Sequence, residues 1–73
     1  MDENIITSKI IDHLKLKEKK RDDLNGIILA IYESEIKNLH YKVAQTLANM
    51  IRKRIIDEFK DSNGKTYYRL TKN

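Results

Sequence analysis

The sequence predicts a mainly α fold with a C-terminal β-hairpin, three helices running into two antiparallel strands. Three observations predict it. Apolar residues recur at helical spacing in three separate stretches. The C-terminal stretch then changes to β-branched and aromatic residues that alternate between two faces. Between its two halves stands Asn63-Gly64, a turn signal that supplies the positive φ a tight hairpin needs.

The elements follow in order. Residues 1–6 read as a tail free to be disordered, and Thr7 or Ser8 can cap a first helix over 7–21. Ile10, Ile11 and Leu14 give that helix its apolar stripe, which fades into the basic run Lys17-Glu18-Lys19-Lys20-Arg21. Cations suit a helix C-terminus, where the macrodipole is negative. Asp22-Asp23-Leu24-Asn25-Gly26 reads as a break with a new cap, opening a second helix over 23–37 through Ile27, Ile28, Ile31, Tyr32 and Ile36. Asn38 tolerates the left-handed conformation that ends a helix. A third helix follows over 39–53, with Val43, Leu47, Met50 and Ile51 as its apolar face. The hairpin occupies 55–71. Thr66, Tyr68 and Leu70 lie on one face of its second strand, and Tyr67, Arg69 and Thr71 on the other.

With 73 residues the chain reads as a single domain over 1–73. So short a chain buries only about 60% of the surface it exposes when unfolded, which makes a homodimer worth expecting. The chain has no Cys, so neither a disulfide nor a thiolate metal site is available. His13 and His40 lie far apart with no metal-type partner at helical spacing, so no metal site is expected. No Gly-rich phosphate loop or nucleophile–base arrangement is legible, and the expectation is a non-enzyme without cofactor or small-molecule ligand. The acidic, polar N-terminus is not a secretory signal, and the longest apolar run, Ile27 to Tyr32, is too short to span a bilayer. A cytoplasmic protein with no membrane partner is expected.

The net charge is +4 and the pI about 9.4, but the charges are segregated. Six bases between Lys9 and Arg21 face only Asp12 and Glu18. Asp22, Asp23, Glu33 and Glu35 make the stretch to Ile36 wholly acidic. From Lys37 to Arg54 there are five bases and no acid. Like-sign groups sum their field, so an acid-free segment points to an anionic partner more sharply than net charge does.

The third helix concentrates this signal. Tyr41, Lys42, Gln45, Asn49, Arg52 and Lys53 fall opposite its apolar face. Gln and Asn pair in a bidentate way with adenine in the major groove, while Arg and Lys meet guanine or phosphate. On this reading Gln45 and Asn49 are base readers and Tyr41 and Thr46 secondary contacts. Lys42, Arg52 and Lys53 clamp phosphate, and His40 near the helix N-terminus adds a phosphate contact. A polar face that merely meets water fits the same residues.

Two stretches resemble the winged helix-turn-helix family of DNA-binding domains. Glu35-Ile36-Lys37-Asn38-Leu39-His40-Tyr41-Lys42-Val43-Ala44-Gln45-Thr46-Leu47 looks like the turn and recognition helix, with Leu39, Val43 and Leu47 at the buried positions. Met50 to Ile56 looks like the helix end running into the first wing strand, and Tyr67-Tyr68-Arg69-Leu70-Thr71 resembles the returning strand. Arg54 stands where many members have Gly. The resemblance covers about half the chain. It implies a three-helix winged helix-turn-helix fold and a small, repressor-like regulator of double-stranded DNA. Helix 39–53 would read the major groove, and Lys60, Asn63 and Lys65 at the wing tip, with Arg69 on the strand, would reach the backbone or minor groove.

The competing readings are a helical homodimeric interaction module and a small inhibitor acting through the Ile27 to Tyr32 surface. With no Gly or Pro between Ile27 and Asn63, one long helix could replace the second and third and pair as a coiled coil. A break at Asn38 favours the helix-turn-helix, and a continuous helix favours the coiled coil.

Overall fold

A computed structural model describes residues 2–31 and 38–71 of the chain. Helix α1 spans Asp2–Leu16, strand β1 Arg21–Asp22, helix α2 Leu24–Ala30, helix α3 Leu39–Arg52, strand β2 Ile56–Lys60 and strand β3 Thr66–Leu70. A short 3-10 turn, Glu18–Lys20, joins α1 to β1. The strands form an antiparallel sheet in the order β1-β3-β2. Three helices followed by a C-terminal hairpin is the expected class, and its topology is compatible with winged helix-turn-helix folds.

One core holds these elements together. Ile6, Ile10 and Leu14 from α1 meet Ile27 and Ile31 from the α2 region, Val43, Leu47 and Met50 from α3, and Ile56 from β2. Each such side chain contributes on the order of 1.5–3 kcal/mol on burial. Leu39, Ile51, Ile55, Tyr68 and Leu70 pack around this centre half-buried.

The first helix differs from the expected 7–21 at both ends. Ile6 is buried in the core and extends the stripe one turn back, so residues 2–6 are helical rather than a tail. At the other end the helix stops at Leu16, where Lys17 becomes extended (φ −69°, ψ 140°), and Lys19 and Lys20 at positive φ, 63° and 56°, then turn the chain. Lys20 Nζ donates to the Lys15 carbonyl at the end of α1. Arg21 and Asp22 are then extended, opposite Arg69 and Tyr68 of β3. A two-residue strand is held by its partner and by the burial of Asp22, neither of which leaves a local signal.

Asp23 caps α2, its side chain accepting from the Gly26 N–H at 2.7 Å. The helix ends at Ala30, short of the expected span 23–37, and residues 32–37 of that expectation lie outside the described residues. Asn38 takes the left-handed conformation, φ 56° and ψ 42°, as the N-cap of α3. A helix break therefore stands at Asn38, and the single long helix that a coiled coil would need is not formed.

The end of α3 closes with two backbone bonds, Arg54 N–H to the Ile51 carbonyl and Ile55 N–H to the Met50 carbonyl. This pairing requires a left-handed residue, usually Gly, and Arg54 supplies it at φ 63°. In the hairpin, Gly64 alone takes the positive φ, 82°, while Asn63 does not. The loop is longer than a two-residue turn. Its shape comes from Asp61, whose Oδ1 accepts from the N–H groups of Asn63 and Lys65.

Candidate nucleic-acid interface

Helix α3 has two sharply different sides. Val43, Thr46, Leu47 and Met50 are buried at i, i+3, i+4 and i+7. His40, Tyr41, Ala44, Gln45, Ala48 and Arg52 are exposed, with Asn49 at the margin and Lys53 exposed just beyond the last turn. Tyr41 is the exposed large hydrophobic side chain of this helix, at 65% exposure. The helix contains no acidic residue.

Along the exposed side Tyr41, Gln45 and Asn49 follow one another at one-turn intervals, and Arg52 lies beside Asn49. The Arg52 guanidinium donates to Asn49 Oδ1 at 3.0 Å. This bond orders a guanidinium and an amide together at the C-terminal end of the face. Two candidate contacts thus become one unit, with the Arg52 donors that are not used by Asn49 directed from an exposed side chain. Lys42 is half-buried and already engaged within the chain.

Thr46 does not belong to this surface. It is 2% exposed and sits inside the apolar stripe, one turn from both Val43 and Met50. The helical angle that buries Val43, Leu47 and Met50 also buries the residue three after Val43. Among the described residues no buried side-chain N or O atom lacks a partner, so the hydroxyl is accommodated there.

Ala44 and Ala48, which the sequence reading passed over, occupy the exposed side between the polar residues. Small side chains let a helix axis approach a groove closely. Their signal was available, since alanines facing out of an amphipathic helix contribute nothing to its core.

The wing residues divide. Lys60, paired with Thr66 at the end of the strands, and Asn63 in the loop are exposed. Lys65 is drawn back toward the body, its Nζ 2.8 Å from Asp23 Oδ2 and 5.5 Å from the Tyr67 ring centre. It ties the wing to the cap of α2. Hydrogen bonding from Lys65, then the Gly26 N–H, holds the Asp23 carboxyl below its ordinary range, and Asp23 raises the pKa of Lys65 in return.

Arg69 lies away from the tip, opposite Asp57 and Arg21 in the sheet. Its guanidinium is 4.4 Å from the Phe59 ring centre, and that of Arg21 is 4.7 Å from Tyr67. Phe59 and Tyr67 stack at 5.9 Å between centroids. Tyr67 therefore joins a cation–aromatic layer on the outer sheet face, while Tyr68 turns toward the core, where burial and then Glu58 raise its pKa.

The other polar concentration is internal. His13 Nε2 lies 2.7 Å from Asp22 Oδ2, and Asp22 Oδ1 accepts from the Asp23 N–H. Asp22 is buried, not a surface acid. The described residues hold no group of three or more His, Cys, Asp or Glu arranged for a metal ion, and none of their helices is long and apolar enough to cross a membrane.

No protein-family model, curated protein or solved structure matches this chain.

Proposed function

We propose that this chain is a winged helix-turn-helix domain that binds double-stranded DNA and acts as a small, repressor-like regulator without catalytic chemistry of its own. The observation that carries this reading is α3. It starts at a left-handed break and buries one side completely. Its other side is acid-free, with amides, a guanidinium and small residues. Gln45 and the Asn49–Arg52 pair read base edges in the major groove, Tyr41 supports them, and His40 and Lys53 contact phosphate. Lys60 and Asn63 carry the wing to the backbone. Binding as a homodimer to paired half-sites would lengthen the sequence that so small a domain reads.

The test is fluorescence anisotropy with labelled duplex DNA across a salt series. The reading expects affinity to fall with salt at a log–log slope of about −0.9 per phosphate contacted. No binding at low salt defeats it and leaves a protein-interaction role in its place.

A further inference from the structure

A second basic surface lies where α1, the 3-10 turn and the end of β3 meet. A groove of about 500 Å³ opens there, with half-buried Leu70 at its floor and the fully buried Leu14 beneath it. Among the described residues Lys15, Lys19, Lys20, Arg69 and Thr71 line it, and no acid does. Its volume is in the range of sites that enclose small molecules. Glu18 lies in the same turn in sequence, and Asp57 stands opposite Arg69 in the sheet.

The backbone adds an independent observation. Lys19 and Lys20 both sit at positive φ, where Gly or Asn would be less strained. Lys20 has a structural use there, since its ammonium meets the Lys15 carbonyl. Among the described residues Lys19 shows no such use, and it lines the groove. Strained residues of this kind collect where a side chain is needed for binding. Arg21 and Arg69, like charges directly across the ladder, raise the positive field of the same corner.

We infer that this groove binds a small amphipathic anion, a phosphate or carboxylate head carried on a short apolar or aromatic body. The head meets Lys15 and Lys19, and the body covers Leu70 and the methylene stems of those lysines. The site is separate from the exposed face of α3 and does not depend on DNA binding.

The experiment is an NMR titration of the full chain at constant ionic strength with 1-naphthyl phosphate and, separately, inorganic phosphate. Saturable shifts at Leu14, Lys15, Lys19, Arg69, Leu70 and Thr71 are expected. The naphthyl ester should bind at least about tenfold more tightly than phosphate, a factor that burying two CH₂ equivalents already supplies. The double variant Lys15→Gln, Lys19→Asn keeps a residue tolerant of positive φ and leaves the Lys20 bond to the backbone in place. It should melt no lower than the parent and bind the naphthyl ester at least tenfold more weakly. Lys19→Asn alone serves as a second variant, with a smaller loss in the same direction. Equal affinity for the two anions, shifts elsewhere, or unchanged binding by both variants overturns the proposal. So does displacement of 1-naphthyl phosphate by duplex DNA, which would make the groove part of the DNA surface.

Discussion

The α1–β1–α2 corner and the outer side of α3 are both polar, but they spend their polar groups differently. In the corner, His13 meets Asp22, Asp22 receives the Asp23 N–H, and Asp23 caps Gly26 and holds Lys65. Opposite charges and donors are matched inside the chain, across four elements. On α3 the Arg52–Asn49 bond runs along one helix, and no acid stands on that helix to neutralise its cations. Matched groups fix a fold, whereas like-signed groups gathered on an exposed side add nothing to folding and suit an anionic partner. The two regions should therefore answer to mutation in opposite ways.

The largest effect is expected at Gly26. A Cβ there would stand 2.2 Å from Asp22 Oδ1 and 2.5 Å from Asp22 Cγ. Asp22 cannot swing aside without giving up His13. Gly26→Ala should cost about 3 kcal/mol, an overpacking figure, which in a domain this small lowers Tm by on the order of 15 °C. Thermal unfolding followed by circular dichroism reads it, and an unchanged Tm would break the matched half of the comparison.

The complementary variant is Arg52→Gln with Lys53→Gln. Its melting temperature should barely move, while the salt slope of DNA binding becomes shallower by about 0.9, the share of the Lys53 phosphate contact, and discrimination between sequences narrows as the Arg52 base contact is lost. A large loss of stability with an unchanged slope would mean that these cations serve the fold.

These contrasts bear on how much of the molecule was legible beforehand. The three helices, the hairpin and the break at Asn38 could be read because each rests on local chemistry: a stripe at helical spacing, an alternating strand, a residue that tolerates positive φ. The exposed side of α3 followed from the same periodicity, except at Thr46, where the hydroxyl suggested a contact and the helical angle buried it. Strand β1 was hidden because two residues carry no period of their own and are held by β3. The run Lys17 to Arg21 suggested a solvated helix end. Its turn at Lys19 and Lys20 takes positive φ, which opposes residue preference and so leaves no sign in the sequence. The pairing of Lys65 with Asp23 joins residues too distant in sequence for any spacing to show.

Arg54→Gly sharpens the picture at the junction of α3 and the wing. Releasing a non-Gly residue from φ 63° should stabilise the chain by about 1 kcal/mol. Denaturant unfolding would register this as a higher midpoint, and a lower midpoint would mean that the arginine side chain holds the end of α3.

The smallest effect belongs to Asp23 and Lys65. The Asp23 pKa is lowered in the fold, so its contribution is fully present above the ordinary carboxylate pKa and is lost as pH falls through the depressed value. Asp23→Asn keeps the cap on Gly26 and removes the charge. Its Tm should lie slightly below that of the parent at neutral pH and converge with it in acid. A gap that persists at low pH would assign the effect to something other than the ion pair.

The central claim concerns where DNA sits. Chemical-shift mapping of the labelled chain against a short duplex tests it most directly. The account predicts saturable shifts at His40, Tyr41, Gln45, Asn49, Arg52 and Lys53, with smaller ones at Lys60 and Asn63. Shifts that leave α3 untouched, or that gather only around His13 and Asp22, would contradict it.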